Sequence, residues 1–309
     1  MEDNKIPLLV VAGPTASGKT ALAIQLAKKL DGEIVSADSM QIYWGMEIAT
    51  AKPTLGELAA VPHHLIGTAD PARRFSVAQY APLAHAAIQG IHQRGHLPIL
   101  CGGTGLYIQA VTENLCYAEV AVDENIREEL RRRNSESLYD ELKRVDPGSG
   151  LHPADRKRVV RALELYHATG MTISEQNERS RKQPSPYTSR MIFLNVRNRQ
   201  YLYDRIDRRA DHMLANGLLE EAAQWRKTAT ATAAQAIGYK ELEPYFLGLC
   251  ALDEAIARLK RETRRYAKRQ LSWLRRAALE WNEREPGSCT ELTIDNEQLT
   301  MPDGLFPNC

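Results

Sequence analysis

Residues 8–20 read Leu-Leu-Val-Val-Ala-Gly-Pro-Thr-Ala-Ser-Gly-Lys-Thr, and this stretch decides the fold. The apolar run 8–12 has the pattern of a buried parallel strand, and it stops at Gly13. Gly13, Pro14, Thr15, Ala16, Ser17, Gly18, Lys19 and Thr20 satisfy G-x-x-x-x-G-K-[ST] at every specified position. From Lys19 to Leu30, Leu22, Leu26 and Leu30 recur every fourth residue, which predicts a helix. Asp31-Gly32 ends it, and 33–37 (EIVSA) reads as a second strand that ends at Asp38. Strand, loop, helix and strand in thirty residues make a βαβ unit, so the fold class is α/β with a parallel sheet.

A loop in this position binds phosphate. Its successive N–H groups and the helix N-terminus cradle anionic oxygens, Lys19 adds a point charge, and the Thr20 hydroxyl can hold Mg²⁺. The pattern means polyphosphate, and it leaves ATP binding open. Phosphoryl-transfer sites also place an acid at the end of a second strand. The next strand, 97–101, runs instead into Cys101-Gly102-Gly103-Thr104. The missing acid suggests that the diphosphate is a leaving group. Ligands of open α/β sheets bind beyond the carboxyl ends of the strands. The phosphate loop, Asp38 and the turn at 102–104 should therefore share one edge. There Asp38 can accept a proton, and Thr104 can offer a hydroxyl.

Outward from this core, 76–93 reads as a helix. Between 116 and 188 the pattern contains no convincing strand. Amphipathic helices are predicted over 123–145 and 153–169, followed by a polar loop over 178–190 that holds two prolines. A strand resumes at 191–196, helices follow at 199–227 and 251–283, and the tail has one candidate strand at 290–294. The organisation expected is a P-loop NTPase-like α/β core over 1–115, an all-α helical insertion domain over 116–188, and completion of the core over 189–309.

Composition narrows the class. The chain has 309 residues, 40 Lys plus Arg, 39 Asp plus Glu and a net charge of +1, so any nucleic-acid footprint must be a local patch. Five widely spaced cysteines without a C-x-x-C pair argue for a reduced, cytoplasmic chain. No apolar stretch approaches the ~18 residues of a membrane span, so no membrane partner is expected. His63 and His64 lack ligand-spaced partners, and His85, His92 and His96 read as surface. Trp225, Trp273 and Trp281 read as core, while Tyr43 and Trp44, next to Asp38, are candidates for a pocket wall. Residues 258–276 carry nine basic residues and one acid, Glu262. On a helical wheel the basic residues share one half, opposite Ile256, Leu259, Tyr266, Trp273 and Leu274. This face suggests phosphate contact. Arg205, Arg208 and Arg209 fall where P-loop kinases place a phosphate-binding lid.

GPTASGKT (13–20), ADSMQIY (37–43), TAKPT (50–54), HHLI (63–66), PILCGGTGLY (98–107), RALELYHATG (161–170), QAIGYKE (235–241) and RRYAKRQLSWLRR (264–276) occur in this order. Together they resemble the bacterial tRNA dimethylallyltransferases, and only the first is generic. The C-terminal zinc finger of eukaryotic members has no counterpart here. The resemblance implies transfer of the five-carbon group of dimethylallyl diphosphate to N6 of the adenosine on the 3′ side of the tRNA anticodon. It implies Asp38 as the base, Thr104 at the bridging oxygen, and residues 13–20 with Mg²⁺ on the diphosphate. Asp38, Ser39, Met40, Gln41, Thr104, Arg127, Lys157, Arg158, Val159, Val160 and Arg161 match positions where relatives touch the tRNA anticodon stem-loop. A monomer is expected. Other readings are a free-adenylate isopentenyltransferase, a small-molecule P-loop kinase and a non-catalytic RNA-binding protein. The insertion and the basic helix favour RNA over a mononucleotide.

Overall fold

The computed structural model describes residues 5–117, 124–230 and 232–294. Six parallel strands form one sheet: β1 (Ile6–Ala12), β2 (Gly32–Ala37), β3 (His63–His64), β4 (Leu97–Gly102), β5 (Tyr187–Asn195) and β6 (Cys289–Thr293), in the spatial order β3-β2-β4-β1-β5-β6. The central strands are apolar along their length because helices cover both faces. The helices in the first half of the chain are α1 (Lys19–Lys29), α2 (Leu55–Ala60), α3 (Val77–Gln93) and α4 (Gly105–Thr112), of which the short α2 buries no residue.

The helical segment is built from α5 (Glu124–Arg132), α6 (Ser135–Val145), α7 (Arg156–Thr169) and α8 (Ile173–Ser180). Leu130, Leu138, Leu142, Val159 and Leu163 form a small core of its own. The single helix expected over 123–145 is two helices. Asn134 caps α6 by accepting from the Ser137 N–H at 2.8 Å, and the cap interrupts an amphipathic pattern that continues across the break. The loop expected over 178–190 is shorter, since β5 begins at Tyr187. Ile6 of β1 pairs with Tyr187 there, although Ser189 and Arg190 keep the segment polar.

The chain then forms α9 (Arg199–Ala215), α10 (Leu218–Trp225), a single 3₁₀ turn (Ala233–Gln235), α11 (Tyr239–Phe246) and α12 (Leu252–Arg284). The helix expected over 199–227 is divided by Gly217, whose φ of +96° starts α10. These elements and the loop after Asp38 enclose a second apolar core that includes Ile42, Tyr43, Met46, Leu218, Trp225, Tyr239 and Leu259. α12 spans about 50 Å at 1.5 Å per residue and packs on α4, α9, α11, β5 and β6. Among the described residues no helix is long and apolar enough to cross a membrane. Cys309 and the tail beyond Ile294 lie outside the described residues.

Candidate active site

The register of the sheet brings three chain segments together. Ala12 pairs with Gly102, and Gly102 with Ala37, so Gly13, Gly103 and Asp38 leave the same edge side by side. Two bonds knit them: the Gly13 N–H donates to Gly102 O at 3.4 Å, and the Thr104 N–H donates to Ala37 O at 3.2 Å.

The phosphate loop has the expected form. Gly18, at φ +89°, precedes α1, whose first turn carries no acid and no side-chain cap. Its N-terminal N–H groups thus remain for an anion. Ala16 holds a left-handed φ of +62°, a strained conformation for a non-glycine residue, and its carbonyl accepts from Arg205 Nε at 2.7 Å. Lys19 Nζ donates to Pro14 O at 3.3 Å. Burial lowers the Lys19 pKa, and the Asp38 carboxylate opposes that shift. Burial likewise lowers that of Arg209, again opposed by Asp38. The Cys101 thiol beside them is pushed up to about 11 by burial and stays neutral at pH 7.

Asp38 is held by its own turn. Its Oδ1 accepts from the N–H groups of Met40 (2.9 Å) and Gln41 (3.4 Å). Thr104 Oγ1 accepts from the Ser39 N–H at 3.1 Å and lies 3.4 Å from Ser39 Oγ. Tyr266 of α12 lines the same cavity, and burial together with Asp38 raises its hydroxyl pKa. Gln270, one helical turn on, ties the loops together: Thr15 N–H donates to its Oε1 at 2.8 Å, and its Nε2 donates to Gly103 O at 3.0 Å. A Cβ at Gly103 would lie 2.3 Å from that Nε2, so a larger residue there would displace the Gln270 amide.

These groups open into a cavity of about 260 Å³ between α9 and α12. One end is polar, with Thr15, Lys19, Thr20, Asp38 and Arg209; the apolar lining includes Met40, Ile206, Ala210, Met213, Ile237 and Leu259. Beyond Lys19 and Thr20 lies a second, more cationic hollow of about 530 Å³, lined in part by Lys52, Arg205, Arg208 and Arg209. The expected lid arginines therefore surround the phosphate loop. Tyr43 and Trp44 are not among the residues that line the Asp38 cavity. Tyr43 is fully buried in the second core, and Trp44, 47 % exposed, packs edge-on against Trp225.

Mg²⁺ prefers hard oxygen donors and keeps several waters and phosphate oxygens in its shell. Thr20, which lines both hollows beside the phosphate loop, brings a hydroxyl that fits that preference. No cluster of three His, Cys, Asp or Glu occurs among the described residues.

Of the RNA contacts that the resemblance implies, Asp38, Ser39, Met40 and Gln41 line the first cavity and Thr104 is bonded to Ser39, whereas those of the helical segment lie at a different place. A cleft of about 910 Å³ runs between the start of α3 and the helical segment, lined by Arg127, Arg158 and Arg161 among others. Arg127 is engaged there: its Nε donates to Glu164 Oε1 at 2.5 Å, with side-chain exposures of 14 % and 9 % for the pair. Arg161 reaches Glu164 at 3.3 Å, and Arg158 reaches Asp155 at 3.4 Å. Lys157 is exposed. The Val159 and Val160 side chains are buried in the small helical core, so they cannot face RNA.

The basic face of α12 is partly neutralised by two acids of α9 and by its own Glu262. Lys260 pairs with Asp211 at 2.6 Å, Arg264 with Asp207, and Arg265 with Glu262 at 2.7 Å. Arg275 donates to Asn195 Oδ1. His85 is not simply a surface residue: its ring stacks on Tyr187 and its Nδ1 contacts that hydroxyl. Trp225 is buried, and Trp273 and Trp281 pack partly buried against the main core.

A phosphate loop that shares a cavity with an acid and with apolar side chains suits an α/β enzyme of group transfer. Comparison with known proteins agrees. A model of the IPP transferase family matches residues 41–277, and one of the isopentenyl transferase family matches 6–66. The tRNA dimethylallyltransferase of Halalkalibacterium halodurans is 47 % identical over 282 residues, 89 % of this chain and 90 % of that protein. The crystal structure of full-length tRNA isopentenylpyrophosphate transferase from Bacillus halodurans aligns with TM-score 0.67 and 43 % identity, covering 94 % of this chain and 90 % of that one. A eukaryotic dimethylallyltransferase acting on tRNA aligns with TM-score 0.77 and 31 % identity, covering 94 % and 74 %. The chain belongs to the tRNA dimethylallyltransferase family.

Two site residues carry little signal of their own in the sequence. Gln270 and Tyr266 sit inside the basic run, where the succession Leu259, Thr263, Tyr266 and Gln270, at steps of four, three and four, keeps them on one helix face.

Proposed function

We propose that this enzyme transfers the dimethylallyl group from dimethylallyl diphosphate to N6 of the adenosine 3′ to the anticodon of tRNA, releasing diphosphate. The observation that carries the reading is the shared cavity, in which the Asp38 carboxylate stands between a phosphate loop and an apolar wall. In this reaction the C1–O bond of the donor breaks, and its electron pair leaves with the diphosphate. The N6–C1 bond forms, and the N6 proton passes to Asp38. N6 is a weak nucleophile, so alignment and a base account for most of the acceleration.

Each group has a task in this scheme. The phosphate-loop N–H groups, Lys19 and Arg209 stabilise charge that develops on the diphosphate. The Thr104 hydroxyl, whose oxygen is fixed by the Ser39 N–H, donates to the bridging oxygen. Because both backbone donors fall on Oδ1 of Asp38, Oδ2 is the oxygen for the N6 proton. When bound at Thr20, Mg²⁺ supplies further neutralisation of the diphosphate. The apolar wall holds the five-carbon group and excludes water. The adenine must leave the loop stack to reach this cavity. The helical insertion, 116–188, grips the stem-loop by shape and phosphate contact, with Arg127, Lys157, Arg158 and Arg161 at the cleft and Ser39, Met40 and Gln41 beside the base. A monomer acting in the cytoplasm, where tRNA is modified, completes the reading.

A single-turnover assay with labelled dimethylallyl diphosphate and Mg²⁺ tests it, with an A-rich anticodon stem-loop, AMP or no acceptor. Label on the stem-loop alone is expected. Label on AMP would make the enzyme an adenylate isopentenyltransferase. ATP turnover without prenyl transfer would make it a kinase, which the absence of an acid after β4 argues against.

A further inference from the structure

Between Asp38 and α2 the chain makes a loop, residues 43–52, that supplies Ala49, Thr50 and Ala51 to the wall of the Asp38 cavity. The loop contains little regular structure, and the group that holds it comes from far along the chain. Glu221, in the first turn of α10, points its carboxylate at three successive backbone N–H groups. Its Oε2 accepts from Glu47 (2.7 Å) and Ile48 (2.7 Å), and its Oε1 accepts from Ala49 at 2.8 Å. The Tyr239 hydroxyl donates to Oε1 at 3.0 Å. Burial and the neighbouring Glu221 charge raise the Tyr239 pKa, which keeps that hydroxyl a donor. Four donors on one carboxylate form a short, charge-assisted set.

From this clamp the hydrogen bonds run on to Asp38. The carbonyls of Thr50 and Ala51 accept from Gln41 Nε2 at 3.3 and 3.1 Å. The Gln41 N–H, with that of Met40, binds Asp38 Oδ1. The path runs from Glu221 through loop 47–51 and Gln41 to Asp38, and hydrogen bonds or the covalent backbone make every step of it. Lys52 closes the loop by donating to Tyr43 O at 2.6 Å.

We infer that Glu221 is a positioning residue for prenyl transfer: its carboxylate fixes the 47–51 wall of the cavity and, through Gln41, the orientation of the Asp38 base. The inference rests on the function proposed above. It gives Glu221 no contact with either substrate.

Glu221→Gln is the informative variant. It keeps shape and volume, but its NH₂ group replaces an acceptor with a donor facing backbone N–H groups. Two readouts are needed. The first is amide hydrogen exchange of the protein without substrates. Exchange is expected to rise about tenfold or more at 47–49, and also at Met40 and Gln41. A rise confined to 47–49, or none, overturns the inference, whatever reaction the enzyme performs. The second is single-turnover transfer to the stem-loop. The rate at saturation is expected to fall by about 10²-fold, the effect of a ~1 Å misplacement, with stem-loop affinity within about threefold of the parent enzyme. An unchanged rate, or equal loss of rate and RNA binding, overturns it. Tyr239→Phe, which removes one of the four donors and leaves the three N–H contacts, should lower the rate by less than about fivefold. If the parent enzyme itself transfers nothing, the proposed function fails, and the exchange measurement still decides the path from Glu221 to Asp38.

Discussion

Replacing Gln270 isolates the geometry of the site from its chemistry, because this side chain touches two loops and performs no proton transfer. It is 6 % exposed and bridges Thr15 and Gly103 through two hydrogen bonds of 2.8 and 3.0 Å. Gln270→Ala removes both and strands a backbone donor and an acceptor. An unsatisfied buried group costs about 1–3 kcal/mol. Gln270 lines the cavity, so water reaches part of the vacated space, and the net loss should be about 2 kcal/mol. At an unfolding entropy of about 2.1 cal/mol/K per residue, a chain of this length should lose about 3 °C in Tm. The rate should suffer more than the stability, because the phosphate loop and the Thr104 turn are no longer locked together. The single-turnover rate at saturating donor should fall by about 10–10²-fold. Gln270→Glu should be worse for donor binding than Gln270→Ala. The new carboxylate repels Gly103 O and places a negative charge beside the diphosphate site. Gly103→Ala, whose Cβ would lie 2.3 Å from Gln270 Nε2, should reproduce the Gln270→Ala phenotype. Calorimetry and rapid-quench kinetics measure both quantities. Variants with Tm within about 1 °C and rates within about twofold of the parent would refute the view that this glutamine sets the site.

Asp38→Ala should lower kcat by about 10²–10⁴ while stem-loop affinity, measured by filter binding, changes little; equal loss of both would make Asp38 a contact residue rather than the base. Arg127→Ala should destabilise the protein by about 3 kcal/mol, because it strips the buried Glu164 of its main partner; thermal denaturation measures the loss. By contrast, Arg158→Ala and Arg161→Ala should leave Tm nearly unchanged and each reduce the salt slope of tRNA binding by about one; an unchanged slope would return them to ordinary helix surface. At the opposite sheet edge, burial raises the Glu33 pKa, but hydrogen bonds from Arg94 and His64 outweigh it and hold the group below its ordinary 4.5. A depressed carboxylate contributes stability that is complete above 4.5 and disappears as pH falls through the folded value. The Tm gap between the parent and Arg94→Ala should therefore be widest above pH 4.5 and close on acidification, and a gap that widens in acid would contradict the assignment.

The features legible in the sequence are those whose physics is local. GPTASGKT fixes its own loop because glycine torsions, a strand before it and a helix after it all lie within a short span of chain. The strands at 8–12, 33–37 and 97–101 are short and mostly apolar runs, and the rule that ligands sit at carboxyl ends of parallel strands is enough to put Asp38 and Thr104 beside the loop. Family-specific motifs such as TAKPT and QAIGYKE extend the reading to the reaction. Where the sequence misleads, a distant partner decides the outcome. Tyr43 resembles a pocket residue by its adjacency to Asp38, yet α10 and α11 help bury it in a second core.

By itself, then, the sequence determined the parallel α/β core, the phosphate loop, the acid and hydroxyl at the sheet edge, and the family. Only the tertiary structure decided which charges remain for RNA and what holds the site in place. The run at 258–276 reads as nearly uncompensated, but Asp207 and Asp211 of α9 neutralise two of its cations across a helix interface. Gln270 and Glu221 each bond to segments more than 160 residues away. Pattern and propensity act over a few turns of chain, whereas a hydrogen bond such as the 2.8 Å contact between Thr15 and Gln270 depends on where the whole fold delivers both its ends.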